Sequence, residues 1–182
     1  NGTQAFVQKS ALFQKIKAQC STQSDALDLL NQTEDAVDAI ELLKSGKPDE
    51  IRRAFSGSQK NSLRIQHALE LLNLLGTKQH LVLFMVLYTR RELVPGGVTA
   101  QLTELVARFS VAHFGLMQGP GNRVERLFAR TARQISDASK ERDEKRRNGK
   151  MNKVLETAKK ELGDRWPSRE NLREQLADVR YD

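Results

Sequence analysis

The chain has 182 residues, 38% of them apolar, which is enough to bury a core as one large domain or two small ones. Aromatic residues make up only 5% and β-branched runs are scarce, so a sheet has little to build on and the fold class reads as all-α. The net charge of +7 is unevenly placed: residues 1–60 hold 8 Lys/Arg against 8 Asp/Glu, whereas 61–182 hold 22 against 15. A positive field in the second part favours phosphate-bearing partners, nucleic acid and anionic lipid alike.

The single cysteine, Cys20, excludes an internal disulfide framework and reads as a small buried residue in a reducing compartment. Asn31-Gln32-Thr33 matches the glycosylation acceptor pattern, a match common by chance, and is read as unmodified. The longest apolar run, 81–88, is less than half of the ~20 residues a spanning helix requires, so no membrane crossing is expected. Asn1 in place of Met reads as a trimmed start, at which a lipidation signal would be out of sight.

In chain order, residues 5–18 carry Phe6, Leu12, Phe13 and Ile16 among lysines and predict a loosely amphipathic helix that Ser21-Thr22 interrupts. Residues 24–44 predict two short helices, with Thr33 as the N-cap of the second. Gly46 and Pro48 close that segment and open a helix through Ile51 and Phe55 to Gly57. Two long helices come next at 60–75 and 77–93, the second apolar all round and so expected at the centre.

Val94-Pro95-Gly96-Gly97 is the clearest break. It divides the expected architecture into an N-terminal helical subdomain 1–93, a linker 94–97 and a C-terminal helical subdomain 98–182. Residues 98–118 predict a helix apolar at Leu102, Leu105, Val106, Phe109 and Phe114, ended by Gly119-Pro120-Gly121-Asn122. A long helix then starts near Arg123. The run 142–150 has no apolar residue and reads as an exposed hinge or frayed helix end, with tail helices after it in 151–182.

At 100° per residue, Arg123, Arg126, Arg130 and Arg133 fall within about 80° of one another. Val124, Leu127, Phe128, Ile135 and Ala138 gather on the other side of the same wheel. Arginines fill many solvated helix faces, but only Glu125 interrupts this stripe before Asp137. A face with so little neutralisation of its own is suited to an anion.

Catalysis finds no support. His67, His80 and His113 are scattered, no serine sits in a nucleophile elbow, and no glycine pattern fits a phosphate cradle. One cysteine with dispersed histidines is poor material for zinc, so neither metal nor cofactor is expected.

Gly115-Leu116-Met117 closing one helix, Gln134-Ile135-Ser136-Asp137 on the next, then Met151 and Thr157-Ala158-Lys159 with Glu161, resemble in order and approximate spacing the middle-to-C-terminal part of influenza matrix protein. On these residues the chain resembles the orthomyxovirus matrix proteins, and among them the isavirus type. The resemblance covers about fifty residues. It implies two packed helical subdomains with a C-terminal helical tail, in a shell protein that polymerises beneath a viral envelope. It also implies a peripheral anionic bilayer, copies of itself, ribonucleoprotein or RNA and envelope glycoprotein tails as partners, in the virion, at the inner face of the plasma membrane and in the host cytoplasm or nucleus. The influenza protein's Cys/His cluster and its Arg-Lys-Leu-Lys-Arg run have no counterpart here beyond Glu144-Lys145-Arg146-Arg147.

The leading expectation is therefore a non-enzymatic matrix protein whose anion-facing charges are Arg123, Arg126, Arg130 and Arg133, with Lys140, Arg146 and Arg147 beside them. A second candidate patch is Arg52, Arg53, Lys60 and Arg64. The alternative is a helical RNA-binding nucleoprotein or adaptor, which the low aromatic content disfavours because single-stranded RNA is commonly held on stacking platforms.

Overall fold

The computed structural model describes residues 9–45, 47–55 and 58–178, and among them every regular element is a helix. The predicted helix at 5–18 is α1 (Lys9–Gln19), and the outer ends of this segment and of the tail lie outside the described residues. Ser21-Thr22 does interrupt it, through a reciprocal cap: Asp25 Oδ2 accepts from the Thr22 backbone N–H at 2.8 Å while Thr22 Oγ1 accepts from that of Asp25 at 3.1 Å. These hydrogen bonds, led by the one from the Ser21 hydroxyl, hold the Asp25 carboxyl below its usual range.

The helix so capped is α2 (Gln23–Ser45), and it runs without the break expected at Thr33. Thr33 turns its hydroxyl back to the Leu29 carbonyl at 2.7 Å, so a residue that resembles a cap in sequence sits in mid-helix instead. Pro48 opens α3 (Pro48–Ala54) where its missing N–H costs nothing. Next come α4 (Gln59–Leu74) and α5 (Leu81–Thr89), joined through Gly76 at φ +64°, a left-handed conformation suited to glycine.

The apolar run is only half central: Leu83, Phe84 and Leu87 are buried, while Val82, Met85 and Val86 are half-buried. Beyond it α6 (Gly96–Ser110) passes directly into a π-helical segment (Val111–Leu116), and α7 (Gly121–Ser139) begins after a short turn. α8 spans Glu144–Gly163, which corrects the expected hinge or frayed helix end at 142–150: Asp143 Oδ1 accepts from the Arg146 backbone N–H at 2.7 Å and caps the helix there. The charged run forms its first two turns. The tail closes with α9 (Arg169–Asp178).

α6 packs between α4 and α8, and α5 between α2 and α7, while α7 also packs on α8. One continuous cluster of buried residues extends from Leu42 to Leu162 across the expected linker, of which Gly96 and Gly97 form the start of α6, with Phe84, Phe109 and Phe128 among its largest members. Arg64 ties α4 to α6 through a two-pronged bond to Glu104, at 2.7 and 2.6 Å. The same bond holds the Glu104 carboxyl below its usual range.

Candidate functional site

The apolar side of α7 is sealed: Val124, Leu127, Phe128, Thr131, Ala132, Ile135 and Ala138 are all buried against α5 and α8. That burial fixes the helix's rotation and turns Arg126, Arg130, Arg133 and Lys140 outward, all exposed. Arg123 belongs to α7, but its side chain lies outside the described residues.

The stripe is less bare than its own helix suggests, because carboxylates arrive from elsewhere. Arg130 Nη1 donates to Glu161 of α8 at 3.0 Å. Asp137 takes Lys140 at 2.7 Å and lies 3.9 Å from Arg133; the Lys140 bond is the chief reason its carboxyl sits below the usual range. Among the described residues, Arg126 has no carboxylate within 4 Å. The expectation of an uncompensated stripe is thus corrected to one open arginine and three cations that share two carboxylates.

Arg147 has a different task from the one its position suggests. Its guanidinium is half-buried and donates to the carbonyls of Leu93 and Glu141, both at 3.2 Å, so it clasps the turn after α5 to the α7–α8 connection. Arg146 is exposed. The helical start at Glu144 aligns it with Lys145, Lys153 and Lys160, the four falling within about 100° on the outer side of α8. None of them has a carboxylate partner among the described residues. Lys153 and Lys160 lie where tail helices are expected, but Lys145 is hard to place because Gly149 and the lack of apolar residues argue against a helix; Asp143 followed by Glu144 is the signal that could have revealed it.

The second patch does not assemble. Arg52 pairs with Asp49 on its own helix, and Arg64 is committed to Glu104. Arg53 lines an open cleft with Asp38, Glu41, Glu50 and Glu92, whose carboxylates offset its charge. Lys60 stands exposed in the first turn of α4.

Residues 121–163, which form α7, α8 and their connection, contain 13 Lys/Arg against 7 Asp/Glu. By contrast α2 carries Asp25, Asp28, Glu34, Asp35, Asp38 and Glu41 against Lys44 alone. The histidines do not converge: His80 is buried, its Nδ1 3.3 Å from Thr77 Oγ1 and its ring edge-on to Phe84, and burial drives its pKa down to about 4. His113 stacks on Phe109 in the π-helical segment. Among the described residues no cluster of three or more His, Cys, Asp or Glu could hold a metal ion, and no helix is long and apolar enough to cross a membrane. No protein-family model, curated protein or solved structure matches this chain.

Proposed function

We propose that this is a structural protein of the orthomyxovirus matrix type, which lies on an anionic bilayer through the basic outer side of α7 and α8, assembles with its own copies into a layer and bridges to ribonucleoprotein. The observation that carries this reading is the joint exposure of Arg126, Arg146, Lys145, Lys153 and Lys160 on two adjacent helices whose apolar sides are buried. A rigid, cationic surface of this breadth suits an extended anionic partner better than a small ligand. Near an anionic membrane each Lys or Arg contributes ~1 kcal/mol, so one copy binds weakly and an array binds by avidity. Aromatic placement favours lipid over single-stranded RNA: Phe128, the sole aromatic residue of α7 and α8, is 1% exposed and offers no stacking platform.

The test is flotation of the protein with neutral and with phosphatidylserine-containing liposomes, alongside RNA titration at several salt concentrations. Flotation only with the anionic liposomes is the expected outcome. Its absence, together with a steep fall of RNA affinity with salt, would replace the lipid reading with the RNA-binding one. Lys145→Glu with Lys153→Glu should leave helicity unchanged and reduce flotation at least about tenfold at physiological salt, the loss expected when two contributions of this size are reversed. Arg130 is a poorer probe, since glutamate there would face Glu161.

A further inference from the structure

α2 has two sides with different fates. Ala39, Leu42 and Leu43 turn inward, whereas Leu27, Leu30 and Val37 are 53, 60 and 48% exposed. On a 100° wheel the exposed three share an outward face about 100° wide with Glu34, Asp38 and Glu41, all of them exposed. Leu27, Leu30, Glu34, Val37 and Glu41 succeed one another at alternating spacings of three and four, the spacing of a seam between two helices lying side by side. Among the described residues nothing covers that seam.

The outward stripe of α7 has the same spacing and the opposite sign. Arg126, Arg130, Arg133, Asp137 and Lys140 step by four, three, four and three, and they retain a net positive charge after Asp137 and Glu161 are counted. The two helices are 23 and 19 residues long, about 34 and 28 Å, so either can lie along the other. Within one chain α5 lies between them.

We infer that the outward seam of α2 docks on the arginine stripe of α7 in a second copy of this chain. Leu27, Leu30 and Val37 then rest on the aliphatic stems of the arginines, whose guanidinium groups reach Glu34 and Glu41. Pairing of α2 with α2 is opposed by Glu34, Asp38 and Glu41 meeting their own kind. Because the two surfaces differ, each copy offers one of each, and the contact propagates head to tail as a ring or an open filament. In the assembled form the α7 stripe is taken up by the neighbouring copy, so the surface that meets the anionic bilayer narrows to the Lys145, Arg146, Lys153 and Lys160 side of α8. The inference rests on the self-assembly part of the proposed function and needs nothing from its lipid part.

The experiment is sedimentation velocity of full-length protein over a concentration series at low salt, with two charge-reversed variants. Glu34→Arg with Glu41→Arg gives two basic faces, Arg126→Glu with Arg133→Glu gives two acidic ones, and each variant alone should stay monomeric where wild type associates. An equimolar mixture pairs a basic α2 seam with an acidic α7 stripe and should associate again. The four positions are exposed, and far-ultraviolet circular dichroism checks that each variant is folded; the neutral pair Glu34→Gln with Glu41→Gln should fall between wild type and the reversed variants. Wild-type association that persists in either reversed variant, a mixture that stays monomeric, or a wild type monomeric throughout the series overturns the interface. Phosphatidylserine flotation of the wild-type protein is read separately: association without flotation overturns the lipid reading and leaves the interface standing.

Discussion

α2 and α7 are amphipathic helices of similar length in one chain, yet they relate to the core in different ways. α7 buries eight side chains along its whole length, and its polar side is consequently held in one orientation. α2 buries Ala39, Leu42 and Leu43 near its C-terminal end and leaves the first two thirds to solvent with leucines outward. One helix is finished by its own chain. The other is ordered mainly by its cap and its intrahelical bonds, which give an isolated helix only marginal stability in water. Burial on one side thus decides whether a charged face is a fixed surface or an arm awaiting cover.

Truncation of one apolar side chain on each helix separates the two most widely. Phe128→Ala should destabilise the protein by about 3–5 kcal/mol in urea unfolding, because it opens a cavity between helices. Leu30→Ala should stay within about 0.5 kcal/mol in the dilute monomer. Equal effects would mean that α2 is docked as firmly as α7.

Between pH 6.5 and 4 acid should act on the body, since the lowered Asp25 carboxyl keeps the cap of the arm charged until the pH falls further. His80 is buried neutral with its pKa lowered to about 4, whereas the unfolded chain takes up the proton near the ordinary value of 6.5. The unfolded state therefore binds more protons between these values, and stability present above pH 6.5 is lost as pH falls toward 4, by about 3 kcal/mol in all. Urea unfolding at successive pH values should show this slope and lose most of it in His80→Leu. Next in size is Glu104→Gln, which leaves the half-buried Arg64 without its carboxylate and should cost about 2 kcal/mol. The smallest effect belongs to the α8 cap: Asp143→Ala should cost about 1 kcal/mol. Hydrogen exchange would sharpen the contrast without mutation, with amides of residues 26–36 in α2 expected to exchange well before those of 127–137 in α7.

Features whose cause is local were legible in the sequence. Pro48, Gly76 and Gly119-Pro120 act through their own backbone, and each marks an observed helix boundary or turn. The two sides of α7 were legible for a similar reason, since 3.6-residue periodicity is a property of the helix alone. Thr33 misled because a hydroxyl can cap one helix or bond back within another, and no proline or glycine beside it decides between the two. The roles of Arg64 and Arg147 were out of reach, since their partners stand 40 and 54 residues away in the chain. Glu161 was likewise invisible beside Arg130 until α8 packed on α7. In the candidate site, then, the direction of the stripe was readable and its compensation was not.

The π-helical segment between α6 and α7 bears on that direction in another way. The Met117 amide reaches back five residues to the Ala112 carbonyl, so this turn contains one residue more than an α-helical turn would. Removing a single residue from 111–116 would turn the exit of α6 by about 100° and set the connection against the burial that fixes the rotation of α7. Chain length at this one place therefore has to agree with the packing of α7 before the basic surface can face outward.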